Sequence, residues 1–249
     1  DDALASRGGE IATGWAGSLT MRAGQFCTNP GIAVVRAGAD ADAFLEAAKT
    51  GLELVGAQTM LTDGIASAYH QGRDRVAATS GVQTVLTTTC DLRNATPYLF
   101  ATTAAEWLDN EELGEEVFGP LGMLVTVADD AEMMAVAKSL QGQLTCTIHM
   151  DDSDADTARA LLPVLERKAG RVLAYLGLAA ALAACLMAFR ERRLLGIAGA
   201  ALGIAGVTLG GYLVQERRFT DAPRDVATDP SEPPAFARTL AAERRLAGV

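Results

Sequence analysis

The hydrophobic positions of the first 171 residues alternate between two periods. From Glu10 to Ala23, Ile11, Trp15 and Leu19 recur every four residues, which places them on one face of a helix. Gly24 ends that run, and Gly24-Gln-Phe-Cys-Thr-Asn-Pro-Gly31 is too rich in Gly and Pro to continue it. Ile32 to Val35 is a short β-branched run that predicts a buried strand. Ala41 to Val55 predicts a helix with Phe44, Leu45, Ala48 and Leu52 on one side, and Thr62 to Ala77 a second. Val82 to Thr88 and Tyr98 to Thr102 read as strands separated by a polar turn. Leu121 to Val127 and Leu144 to Met150 are further strands. A helix opening at Asp129 and Asp130 follows the first, with acids suited to a helix N-terminus. A helix from Asp151 to Asp156 through Leu161, Leu162 and Leu165, closed by Gly170, follows the second. Strand, helix, strand, helix and strand at this spacing predict parallel βαβ units, an α/β fold.

At Arg171 the pattern changes. Val172 to Phe189 and Leu194 to Val214 are uncharged runs of 18 and 21 residues. As helices they would be about 27 and 31 Å long, close to the roughly 30 Å hydrocarbon core of a bilayer. Arg190-Glu-Arg-Arg193 lies between them, so the expectation is a transmembrane hairpin with helices over 172–189 and 194–214. Gly199-x-x-x-Gly203 and Gly206-x-x-x-Gly210 offer small positions for close helix packing. Arginines lie both in the turn and outside the hairpin; the larger outer count leans toward both ends, and with them residues 1–171, on the cytoplasmic side, without fixing the orientation. Two buried Ala/Gly-rich helices in a soluble core are the alternative. Residues 215–249 read as a polar, Pro-rich, irregular tail.

Charge supports the division. Of the 249 residues, the first 171 carry 24 acids and 12 bases, whereas the remainder carries 7 acids and 9 bases. A net charge of −10 argues against a nucleic-acid partner, which needs clustered Lys and Arg. The four cysteines, at 27, 90, 146 and 185, form no C-x-x-C pair, and His70 and His149 stand far apart, so no metal site or disulfide framework is expected. The opening residues are not Met and hold no apolar core, so they read as a piece of a longer chain or a processed product rather than a secretory signal.

Cys27 is the candidate nucleophile. In a loop bounded by Gly and Pro, backbone amides can point at a reacting oxygen while a thiolate attacks a carbonyl. Its bland reading is a small buried apolar residue. Glu115 and Glu116 likewise read as an acidic turn continuing Asp109, Glu111 and Glu112. His70 is expected on an exposed helix face, His149 at a strand edge, and Trp107 as a packing anchor.

Gly24-Gln25-Phe26-Cys27-Thr28 resembles the nucleophile loop of the aldehyde dehydrogenase superfamily. The longer stretch from Ser18 to Gly31 is most similar to the branch acting on α-ketoglutaric semialdehyde, also called 2,5-dioxovalerate. Glu115-Glu116-Val117-Phe118-Gly119-Pro120 resembles the E-E-x-F-G-P cofactor motif of the same superfamily. The resemblance continues through the βαβ pattern to Leu173. It implies a catalytic-domain fragment over 1–171, with Cys27 as nucleophile, Glu116 holding the nicotinamide ribose and Phe118 packing by the nicotinamide of NAD or NADP. It further implies a thiohemiacetal on Cys27, hydride transfer to the cofactor, hydrolysis of the resulting thioester to the acid, and a part for the Cys27 amide in the oxyanion hole. A homo-oligomer is compatible with it.

In that superfamily the dinucleotide-binding domain, the water-activating glutamate and the oxyanion asparagine precede the cysteine, and only 26 residues do so here. The expectation is that these 249 residues alone do not turn over aldehyde. The stretch Asp225 to Phe236, after two apolar helices, resembles the start of a family of uncharacterised bacterial membrane proteins. Two alternatives stay open beside the dehydrogenase reading: a non-catalytic membrane-anchored protein, and an artefactual join of two unrelated reading frames.

Overall fold

A computed structural model describes residues 1–177 and 212–214, the last three by backbone alone. Helix α1 spans Asp2–Thr20 and is followed by a single 3-10 turn, Met21–Gly24. Strand β1 (Ile32–Arg36) leads to α2 (Ala39–Glu53), the short β2 (Gln58–Thr59) and α3 (Asp63–Ala78). Next come β3 (Gln83–Leu86), β4 (Asn94–Ala95), β5 (Tyr98–Thr103) and α4 (Ala104–Asp109). Strand β6 (Leu121–Val127), α5 (Asp130–Ser139), β7 (Gln143–Met150), α6 (Ala155–Lys168), β8 (Ala169–Leu176) and β9 (Tyr212–Val214) complete the described elements.

The main sheet has the order β1-β6-β5-β3. Strand β6 pairs in parallel with both β1 and β5, as the βαβ reading requires, but β3 runs antiparallel to β5. Strand alternation divides the core into two layers. Met123, Val125 and Val127 of β6 meet Tyr69 and Val76 of α3, Trp107 of α4 and Val136 of α5. Leu124 and Leu99 point the other way, onto Leu19 of α1 and Phe44 and Leu52 of α2. Helices cover both faces, which is why β6 is a nearly continuous apolar run.

Side chains cap the starts of two helices, one of them at the acids expected there. The Thr62 hydroxyl accepts from the Ile65 N–H at the start of α3, and the Asp129 carboxylate from the Glu132 N–H at the start of α5. Trp107 is buried, as its anchor role predicts, and its indole N–H donates to Ser139 Oγ at 2.9 Å. Helix α4 and strands β2 and β4 carry too few residues to leave a period, and the sequence reading missed them.

The second sheet has the order β7-β8-β9, with β7 and β8 parallel. Helices α5 and α6 cover it with Ala137, Leu161, Val164 and Leu165, packed on Cys146, Ile148 and Val172. Here the expectation of a membrane helix beginning at Val172 is corrected. Residues up to Leu176 are strand, drawn into register by β7, with Thr147 opposite Leu173 and Met150 opposite Leu176. An uncharged run is equally compatible with a strand, and an available parallel edge decides the matter. Tyr212–Val214, the expected end of the second membrane helix, is likewise strand, antiparallel to β8. Among the described residues no helix is long and apolar enough to cross a membrane. The rest of the expected hairpin, Cys185 and the tail at 215–249 lie outside the described residues.

Candidate functional site

The loop that carries Cys27 begins with three consecutive residues of positive φ: Arg22 at 48°, Ala23 at 57° and Gly24 at 65°. For Arg and Ala this left-handed backbone costs about 1–2 kcal/mol each, so the surroundings must hold it. Gln58, from β2, uses both ends of its amide. Its Oε1 accepts from the Ala23 N–H at 2.8 Å and its Nε2 donates to the Thr20 carbonyl at 3.0 Å. Gln25 closes the turn from the other side. Its backbone N–H and its Nε2 both donate to the Arg22 carbonyl, while its Oε1 accepts from the Leu61 N–H.

Beyond Gly24 the Asn29 N–H donates to the Phe26 carbonyl at 3.0 Å, so Cys27 and Thr28 form the tip of a turn. Cys27 is exposed there. Among the described residues nothing accepts from its backbone N–H, which leaves that donor free beside its own sulfur. The Trp15 indole N–H donates to the Pro30 carbonyl at 2.6 Å and pins the end of the loop to α1.

The second motif lies against the first. Asn29 Nδ2 donates to the carbonyls of Gly24 (2.7 Å) and Gly119 (3.1 Å), tying the nucleophile loop to the Glu115–Pro120 segment. A Cβ on Gly24 would lie 2.4 Å from the Gly119 carbonyl carbon, so only glycine permits this approach. Gly119 rests in turn on Tyr69, whose ring would meet a Cβ there at 2.2 Å. Tyr69 is fully buried, donates its hydroxyl to the Thr96 carbonyl at 2.7 Å, and has its phenol pKa pushed up by burial.

The two acids that the motif places side by side differ. Glu115 pairs with Arg75 of α3 at 3.0 Å, whereas Glu116 is exposed and, among the described residues, makes no ion pair or hydrogen bond. Phe118 is 36% exposed, unusual for a large apolar ring that has a core within reach. The structure therefore brings the Cys27 loop and the Glu116–Phe118 segment together through their glycines, with all three side chains reaching solvent. Gln58, Asn29, Tyr69 and Arg75, which hold this arrangement, were not foreseen. Asn29 stands in the motif, but the others act from as far as 50 residues away.

Neither histidine stands in the two motifs. His70, expected on an exposed face, is half-buried, with Nδ1 at 2.9 Å from Arg73 Nη1. His149 sits on edge strand β7, its ring stacked on Tyr175 at 5.1 Å and 13°. Partial burial and the charge of Arg7 lower its pKa to about 4.

No family model matches the chain. It is 44% identical over 176 residues to α-ketoglutaric semialdehyde dehydrogenase 2 of Azospirillum brasilense, a match covering 69% of this chain and 33% of that protein. Among solved structures, the NAD-dependent benzaldehyde dehydrogenase of Corynebacterium glutamicum superposes with a TM-score of 0.55 at 22% identity, over 66% of this chain and 36% of that one. The NADP-dependent glyceraldehyde-3-phosphate dehydrogenase of Bacillus halodurans does so with a TM-score of 0.57 at 19% identity, over 67% and 35%. At those identities the structures establish the α/β fold alone. This chain spans about a third of the length of the curated relative it matches. Over the residues that these matches cover, the chain is similar in sequence to an aldehyde dehydrogenase and shares the α/β fold of two others.

Proposed function

We propose that residues 1–171 are a catalytic piece of an NAD(P)-dependent aldehyde dehydrogenase, acting on a small semialdehyde of the α-ketoglutaric type, with Cys27 as nucleophile. The observation that supports this reading is the close approach of Gly24 to Gly119, which packs the segment carrying the exposed Cys27 thiol against the segment carrying the exposed Glu116 and Phe118. The thiolate of Cys27 adds to the aldehyde carbon, and the oxyanion that develops there accepts from the free Cys27 N–H. A nicotinamide cofactor, when bound, would supply the acceptor for the hydride, the hydrogen with its bonding pair, that leaves that carbon. Water then releases the thioester on Cys27 as the carboxylic acid.

The residues present fit such a cofactor. Among the described residues Glu116 has no competing cation and can accept from two ribose hydroxyls, whereas Glu115 is already engaged by Arg75. Phe118 presents an apolar ring that excludes water from the reacting centre. Aldehyde protection tests the proposal. Glutaric semialdehyde should slow iodoacetamide labelling of Cys27, read by peptide mass mapping, and leave Cys90 and Cys146 unaffected. Equal labelling of Cys27 with and without aldehyde would sink it. These 249 residues alone are expected to give no NAD(P)H from aldehyde, read at 340 nm.

Membrane attachment through the run beyond Leu176 is proposed from sequence alone. Alkaline carbonate extraction should leave an inserted chain in the membrane pellet, and full release would refute insertion.

A further inference from the structure

We infer that Gly72 of α3 is a positioning residue for the cofactor segment. By admitting Val117 against the helix it turns Glu116 and Phe118 outward, a role that rests on the reading of those two residues as cofactor contacts. Helix α3 meets the Glu115–Pro120 segment at three points. Arg75 pairs with Glu115 at 3.0 Å, Gly72 faces Val117, and Tyr69 lies under Gly119. Positions 69, 72 and 75 recur every third residue and so share one face of the helix. Residues 115, 117 and 119 alternate along the segment, and the residues between them, Glu116 and Phe118, are exposed without a contact to α3. The segment therefore runs antiparallel along α3, with one side against the helix and the other toward solvent.

Gly72 makes the middle contact, and the backbone does not require glycine there. It lies inside α3 without the positive φ of Gly24 and Gly119. After proline, glycine is the poorest residue for a helix interior, so Gly72 weakens α3 unless something compensates. What it provides is space. A Cβ at this position would stand 2.9 Å from both γ-methyls of Val117 and 3.4 Å from its Cβ, and these are the three nearest atoms. Even alanine would require Val117 to move. Because side chains alternate along the segment, a larger residue that displaces Val117 exchanges the two sides and draws Phe118 toward α3.

Cysteine pairs in the 249-residue chain test this placement independently of cofactor and turnover. A Cβ on Gly72 would lie 3.4 Å from that of Val117, close to the roughly 3.5–4.5 Å that a disulfide spans. With glutathione disulfide as oxidant, Gly72→Cys with Val117→Cys should close at least about tenfold faster than Gly72→Cys with Glu116→Cys or with Phe118→Cys, read by peptide mass mapping. Comparable closure in either of the other pairs would overturn the placement. Iodoacetamide labelling of Phe118→Cys reads the presentation. Adding Gly72→Val should slow it about threefold or more, and adding Val117→Ala as well, which returns the space, should restore it. Loosening raises labelling instead, so a rate unchanged or raised by Gly72→Val, with Cys146 labelling constant, would overturn the role of Gly72. Should labelling of Cys146 rise too, the variant has unfolded and the cysteine pairs decide. Selective closure with Val117→Cys but no aldehyde protection at Cys27 would leave the positioning intact and count against the dehydrogenase reading. The converse would count against Gly72 alone.

Discussion

Strands β6 and β7 both precede a helix and both pair in parallel, yet six of the seven residues of β6 are buried and none of the eight of β7 is. The sequences already differ in kind. Leu-Gly-Met-Leu-Val-Thr-Val is nearly continuous in apolar residues, as befits a strand with helices on both faces. Gln-Leu-Thr-Cys-Thr-Ile-His-Met alternates, and its Cys146 and Ile148 face α5 and α6 while the intervening residues do not. The difference explains where the candidate site stands. The Glu115–Pro120 segment feeds directly into β6, and the Cys27 loop feeds into β1, which Met123 meets by donating its N–H to the Gly31 carbonyl. Reactive loops gain precision when the elements behind them are fully packed.

Equivalent truncations in the two strands should have unequal consequences. Leu124 is 1% exposed and lies in the core layer under α1 and α2, so Leu124→Ala should cost about 2–5 kcal/mol in urea unfolding. Leu144 on β7 is 54% exposed, and Leu144→Ala should change stability by less than about 0.5 kcal/mol. Similar losses at the two sites would erase the contrast.

Gln58→Leu asks whether the loop shares the rigidity of the sheet behind it. The change strands the Ala23 N–H and the Thr20 carbonyl, and should cost about 1–3 kcal/mol. The rate of Cys27 alkylation should change while that of Cys146, in the second sheet, stays constant. Parallel changes at the two thiols would mean that the loop is not a separately braced unit.

The smallest effect concerns His149. A histidine whose folded pKa is about 4 is kept neutral by the fold, while the unfolded chain takes up a proton near pH 6.5. Its contribution is therefore complete above that pH and is lost as pH falls from about 6.5 toward 4. Solvent at the exposed side of the residue keeps the contribution below about 1 kcal/mol. Unfolding curves at pH 7 and 4.5 should differ less in His149→Phe than in the wild type. Identical differences would show that the Tyr175 stack does not exclude the proton.

Local signals accounted for most of what was legible. The β1 run, the acidic start of α5 at Asp129 and the bounds of β6 all depend on neighbours within a few residues, and each was found where expected. Cys27, Glu116 and Phe118 were legible only as members of two short motifs. Nothing in either motif states that Gly24 and Gly119 touch, because that contact joins residues 95 apart. The run after Arg171 misled for the opposite reason. Its composition satisfies both a helix and a strand, and the parallel edge of β7, contributed by a different stretch of chain, selects the strand through Leu176.

Composition and periodicity, then, were enough for the α/β class and for most of its helices and strands, since those properties follow from side-chain identity and short-range geometry. Folding alone decided that β3 runs antiparallel to β5, that Gln58 and Asn29 brace the left-handed turn, and that Arg75 engages Glu115 rather than Glu116. Each of those is a pairing between distant segments, and a hydrogen bond or ion pair exists only once packing has brought its two partners within about 3 Å.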